Sequence, residues 1–284
     1  MRFARDAATH AYYERRAGEY DEWYDGVGRF AARDRPGWGD EVQTVVALLA
    51  ALPPCRTLDV ACGTGFLTRH LPGFVVGLDQ SPSMVARAQE RVPEGLAVVG
   101  DALALPFAAG AFDRVLAGHF YGHLPDGERD DFLAEARRVA PELVVVDSAL
   151  RPGVPAEGWQ ERVLNDGSRH RVFKRHLTPE GLAAELGGEV LHTGRWFVVA
   201  RAHEPAGDGQ RRHEAFASSS LSSAIVRRPA PADCGHLRPM RNLRCVTPGE
   251  AMTSTGSSRG SPTSSSRRSP APRTTGTRWS SSSS

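Results

Sequence analysis

With 284 residues, 40% hydrophobic and 24% charged, the chain has the balance of a soluble globular protein with enough apolar material for a core. Its longest apolar run, 45–52, falls far short of the roughly 18 residues a membrane helix needs, and its first ten residues hold no apolar signal core. Four scattered cysteines (Cys55, Cys62, Cys234, Cys245) exclude a disulfide framework, so a cytoplasmic protein is expected. The net charge of +2 conceals two unlike parts. Residues 1–204 carry 23 basic and 29 acidic side chains, a balance of −6, whereas residues 205–284 carry 12 and 4, a balance of +8. An acidic body lacks the clustered cations of a nucleic-acid face and favours a small-molecule partner, while the basic segment can contact nucleic acid only weakly and by charge alone.

In chain order, residues 1–36 read as a flap. Tyr12, Arg16, Tyr20 and Tyr24 recur every four residues and predict an amphipathic helix, its rings either packing or offering π surface to a cation, with Arg16 solvated. After the break at 36–39, Val42, Val45, Val46, Leu48, Leu49 and Leu52 predict a helix that ends before Pro53. Short apolar runs then predict strands at 57–60, 74–78, 96–99, 112–117 and 143–147. They alternate with helices: one capped by Ser81-Pro82, one over 128–140, and one starting at Thr178-Pro179. Residues 150–176 read as an insertion whose Trp159, Arg169, Arg171 and Lys174 point to an anionic or aromatic acceptor. Strands 188–192 and 195–202 close the series as a hairpin turning at Thr193-Gly194.

The expected fold is therefore α/β: a Rossmann-like, doubly wound, mainly parallel sheet with a C-terminal antiparallel hairpin over residues 1–204. Residues 205–284, rich in Ser, Arg and Pro, predict a disordered tail. Cys234, His236 and Cys245 lack a fourth ligand, so no metal site is expected.

The chemistry concentrates at three strand ends. LDVACGTG, 58–65, lies where a buried strand should pass into a helix, and Gly63 and Gly65 permit a tight turn and close backbone approach to a ligand. Asp59 can accept from loop amides or a ligand ammonium. Asp79, fourteen residues past Gly65, can accept both hydroxyls of a ribose, and Asp101 can accept from an adenine amine beside the Ala102 amide. All three carboxylates are expected on the rim where open α/β sheets bind ligands.

These segments, LDVACGTG, GLDQSPSMVARA, GDALALPF and AFDRVLAGHFYGHL, resemble the class I S-adenosylmethionine-dependent methyltransferases, and the likeness runs from about Tyr12 to Ala202. The resemblance implies that Asp59 and the loop Ala61, Cys62, Gly63, Gly65 hold the methionine part of the cofactor. By the same likeness Asp79 takes the ribose, Gln80 and Met84 flank the adenosine, Asp101 and Ala102 read the adenine, and the His119 carbonyl lies near the methionine amino group. Tyr20 is the flap ring expected at the cofactor. Ala61 stands where many members have glycine, which implies a backbone conformation that alanine tolerates.

A nicotinamide oxidoreductase is the alternative enzyme, but Thr68 replaces the third glycine of a dinucleotide loop and Asp59 would oppose a pyrophosphate. A non-catalytic S-adenosylmethionine-binding regulator is the alternative without chemistry. If the acceptor is a hydroxyl, His119, Tyr121 and His123 are the candidate bases, with local hydrogen bonding as the plainer role for the histidines.

Overall fold

The computed structural model describes residues 6–203. The predicted tail, its charge-driven contacts and Cys234, His236 and Cys245 lie outside the described residues. The chain runs α1 (Ala7–Arg16), α2 (Glu22–Asp25), α3 (Trp38–Ala50), β1 (Cys55–Val60), β2 (Gly73–Asp79), α4 (Pro82–Arg91), β3 (Leu96–Val99), β4 (Arg114–Gly118) and α5 (Asp126–Val139). It continues through β5 (Glu142–Ser148), β6 (Glu157–Val163), β7 (Arg169–Arg175), α6 (Pro179–Leu186), β8 (Glu189–Thr193) and β9 (Phe197–His203).

Seven strands form one sheet in the order β3-β2-β1-β4-β5-β9-β8. The first five are parallel; β9 lies antiparallel to β5, and β8 antiparallel to β9. The order reverses between β1 and β4, so the carboxyl ends of those strands open a crevice at the switch point. Helices cover both faces, which is why β5 is a continuous apolar run rather than an alternating one. One core layer joins Phe132, Val139, Leu182 and Leu186 to the sheet, and the other joins Val42, Val45 and Leu49. Among the described residues, no helix is long and apolar enough to cross a membrane.

Local chemistry explains the helix boundaries. The Ser81 hydroxyl accepts from the Met84 amide at 3.1 Å with Pro82 opening α4, and the Thr178 hydroxyl accepts from the Gly181 amide at 3.0 Å ahead of α6. Gly187 ends α6 at φ +70°.

Three expectations change. The flap is not one helix, because α1 ends at Arg16 and residues 17–21 form turns before α2 begins at Glu22. The helix expected after Gly65 contracts to a 3-10 turn at Thr68–His70, since Pro72 and Gly73 follow at once. The insertion 150–176 is an antiparallel hairpin, β6 against β7, turning at Asp166-Gly167 with Gly167 at φ +83°. At the last hairpin, residues 194–196 separate β8 from β9, and the Glu41 carboxylate accepts from the Trp196 and Phe197 amides.

Candidate active site

Asp79 ties the crevice together. Its Oδ2 accepts from the Gly63 amide and its Oδ1 from the Ser81 amide, both at 2.9 Å, so one carboxylate fixes the loops leaving β1 and β2. Burial pushes its pKa up, against the opposing amides of Ser81, Gly63 and Gln80. A cavity opens above it, floored by Ala61, Gly63 and Asp79 and flanked by Gln80 and Met84. Asp101 and Ala102 close its far side, and Tyr20 and His119 its mouth. Asp101 accepts from the Leu103 amide at 2.8 Å, which holds the turn after β3. Two carboxylates, Asp79 and Asp101, thus line the cavity.

Asp59 is not on that rim. It lies on β1 beside Leu116, facing the layer beneath the loop, is 2% exposed, and accepts from the Thr68 hydroxyl at 2.5 Å. Burial raises its pKa to about 7. Thr68, which replaces the third glycine, thus supports the loop from below. Cys62 and Gly65 also act from behind rather than lining the cavity. The Cys62 amide donates to the Leu78 carbonyl at 3.0 Å, and its sulfur fills the space beside Gly77. A Cβ on Gly65 would come within 3.0 Å of the Ala88 Cα, so this glycine seats α4 against the loop.

Ala61 and His119 are the two non-glycine residues with positive φ among the described residues, at +55° and +56°. Both line the cavity, where such strain commonly accompanies function. Alanine is therefore held against its preference at 61, rather than placed where it is tolerated. We expect Ala61→Val to lower unfolding stability by about 1–2 kcal/mol in urea titration and Ala61→Gly to change it by less than about 1 kcal/mol.

The flap covers the cavity and is fastened at two places. Glu14 on α1 accepts from the Ser81 hydroxyl at 2.5 Å, the Ser83 amide at 3.2 Å and the Ser83 hydroxyl. Against the pull of burial, these bonds keep its carboxyl below the usual range. Asp21 accepts from the Thr64 hydroxyl at 2.5 Å and pairs with Arg91. Tyr20 lies over Gly63, where a Cβ would stand 3.3 Å from its ring. Of the aromatic series, Tyr24 stacks on Phe66 at 3.9 Å and is core. Arg16 is not solvated: it donates to the Tyr12 hydroxyl at 2.6 Å and lies 4.8 Å above the Tyr20 ring. Tyr13, which the every-fourth-residue pattern omits, lines the cavity beside Tyr20.

A second cavity shares Tyr13, Tyr20 and His119 with the first and runs between the flap and the β6–β7 hairpin. His119 stands at the junction. Burial drops its pKa to about 3, and its buried Nδ1 has no partner among the described residues. His123 lines the second cavity, where its Nδ1 donates to the Phe173 carbonyl at 2.6 Å and burial again lowers its pKa. Tyr121 is turned away: it is 1% exposed, and its hydroxyl donates to Glu185 on α6 at 2.8 Å. Beneath the junction, Asp147 pairs with Lys174 and accepts from the Gly122 and Ser148 amides at 2.7 Å. Asp147 is fully buried, yet Lys174 first, then His119 and His123, outweigh the desolvation and hold its pKa at about 2. Among the described residues, no group of three or more His, Cys, Asp or Glu side chains could hold a metal ion.

Comparison with known proteins agrees with this geometry. Residues 58–142 match the methyltransferase domain family. Over 163 residues the chain is 39% identical to the 2-methyl-6-phytyl-1,4-hydroquinone methyltransferase of Synechocystis sp., a match covering 52% of this chain and 50% of that protein. It is 37% identical over 100 residues to the demethylmenaquinone methyltransferase of Thermotoga maritima, covering 34% of this chain and 43% of that one. The chain therefore spans about half the length of the curated relatives it matches. Among solved structures, the DhpI–SAM–HEP complex superposes with a TM-score of 0.56 at 25% identity, over 69% of this chain and 96% of that one. The family match thus runs from β1 to the start of β5, and in sheet order, matched sequence and superposed structure the chain is similar to methyltransferases.

Proposed function

We propose that the protein transfers a methyl group from S-adenosylmethionine to a small-molecule acceptor held in the second cavity. One observation carries the reading: Asp79, Asp101 and the Gly63 loop surround a cradle that meets a separate cavity at His119. In this assignment Asp79 accepts the ribose hydroxyls with the lone pairs its amide bonds leave free, and Gln80 and Met84 flank the adenosine. Asp101 and Ala102 read the adenine edge. Ala61 and Gly63 face the methionine part, where a side chain at 63 would displace Tyr20. Asp59, Cys62 and Gly65 act indirectly by shaping the loop.

The cofactor supplies a methyl group already activated by its sulfonium, so no covalent enzyme nucleophile is needed. An acceptor lone pair bonds to the methyl carbon as the carbon–sulfur bond breaks, and sulfur keeps that electron pair. The protein aligns the two at about 3–3.5 Å and keeps water out, tasks that fall to the fastened flap and the aromatic junction. His119, neutral at pH 7, orients the acceptor by hydrogen bonding. With its depressed basicity it does not store a proton. One face of Tyr20 is occupied by Arg16, leaving the other for the cofactor.

A hydride-transfer role is disfavoured by a specific observation. The loop is followed by a 3-10 turn and not by an α-helix, so no α-helix opens directly from the glycine loop to receive a pyrophosphate, as a dinucleotide fingerprint requires. Calorimetric titration with S-adenosylmethionine and with nicotinamide cofactors tests the choice, and binding only of the latter reverses it. Cofactor binding without turnover of any pooled acceptor would indicate a regulator instead. Tyr20→Ala is expected to weaken S-adenosylmethionine binding about 5-fold; an unchanged Kd would remove Tyr20 from the site.

A further inference from the structure

The second cavity has a strongly biased lining: seven Arg and Lys side chains against two carboxylates. Both carboxylates are engaged, Glu19 with the Asn165 amide and Glu161 with Arg169. Lys174 is neutralised by Asp147. Arg16, Arg33 and Arg162 differ from Lys174. They come from α1, from the loop after α2 and from β6, and none forms a salt bridge with a carboxylate among the described residues.

Aromatic rings hold several of these guanidinium groups in place. Arg16 lies over Tyr20, Arg33 over Phe30 at 4.7 Å, and Arg35 over Trp38 at 3.9 Å. A ring steadies the plane of a guanidinium without neutralising it, so the N–H edges stay available to a ligand. The groups also act on one another. Burial, then repulsion from Arg16, lowers the pKa of Arg33; burial also lowers that of Arg162, with smaller pushes from Arg16 and Arg33 against Tyr12 and Tyr13. Positive charge brought together from three segments, with no salt bridge to a carboxylate among the described residues, is unfavourable until an anion enters.

We propose that the methyl acceptor is an anion whose carboxylate or phosphoryl oxygens are gripped by Arg16, Arg33 and Arg162. The inference rests on the methyl-transfer reading only for the word acceptor; the anion site stands on the cavity itself. It also separates this chain from the Synechocystis relative, whose named hydroquinone carries no such charge.

The test is calorimetry on the full chain, alone and saturated with S-adenosylhomocysteine, using inorganic phosphate, pyrophosphate and citrate as probes and hydroquinone as the uncharged control. We expect at least one of the anions to bind with a Kd below about 1 mM and to weaken as salt rises. Arg33→Gln and Arg162→Gln should each weaken that anion about 10-fold while leaving the S-adenosylhomocysteine Kd within about 2-fold. Preference for pyrophosphate over citrate would assign a phosphoryl acceptor, and the reverse a carboxylic acid. No anion binding up to about 10 mM, or equal binding by wild type and both variants, overturns the proposal. Loss of S-adenosylhomocysteine binding by the wild type would instead strike the cofactor reading, and the anion titrations of the protein alone would still decide the cavity.

Discussion

Asp79→Ala is expected to weaken S-adenosylmethionine binding at least about 100-fold, close to 3 kcal/mol, while the purified protein keeps its secondary structure. The side chain does two jobs at once. It ties Gly63 to Ser81 through both oxygens, and it faces the cavity where the ribose is placed. Truncation removes the ligand contact and also frees two buried amides, letting the loop after β1 relax. Asp79→Asn should fall between, because its amide oxygen can still accept from Ser81 while its NH2 group faces the Gly63 N–H, donor against donor. Calorimetry with S-adenosylmethionine reads the effect, and a Kd within about 3-fold of wild type for Asp79→Ala would remove this carboxylate from the cofactor site.

Lys174→Met should lower unfolding free energy by about 3–5 kcal/mol, the loss typical when one partner of a buried ion pair disappears. Asp147 would be left fully buried with only two amide donors. The pH dependence gives the sharper signature. In the wild type Asp147 has a folded pKa of about 2, below the unfolded value near 3.9. Its contribution to stability is therefore present above the unfolded value and lost as pH falls toward 2. In Lys174→Met the largest opposition to desolvation is gone; with only the Gly122 and Ser148 amides and the more weakly acting His119 and His123 remaining, the folded pKa is expected to rise above the unfolded one, so that this site gains stability on acidification. Urea titrations from pH 7 down to about pH 3 measure the sign. A variant that loses stability on acidification as the wild type does would show that Lys174 does not set the charge of Asp147. Asp147→Asn in the Lys174→Met background should recover part of the loss.

The sheet was legible because its parallel strands are buried on both faces and read as short apolar runs, as at 143–147. The Ser81-Pro82 and Thr178-Pro179 caps marked their helices by local chemistry alone. Asp79 and Asp101 were legible because strand ends can be counted along the chain. Asp59 was misplaced for a related reason: it lies one residue before the end of β1, and strand alternation turned it under the loop. The β6–β7 hairpin carried a usable sign in Asp166-Gly167, but its strands mix charges with apolar residues and lack a buried run. The gathering of Arg16, Arg33 and Arg162 had no local sign at all, since three segments contribute one residue each and only tertiary contact brings them together.

The residues lining the first cavity, apart from Tyr13 and Tyr20, lie between positions 61 and 120, whereas Arg16 and Arg33 belong to the flap and Arg162 to the hairpin. On the proposed reading, the methyl donor is met mainly by residues 61–120 and its recipient by the flap and the hairpin, with Tyr13, Tyr20 and His119 shared between the two. Exchanging the hairpin for another of the same length would remove Arg162 and leave residues 61–120 unchanged. Selection can act on one vocabulary while leaving the other intact.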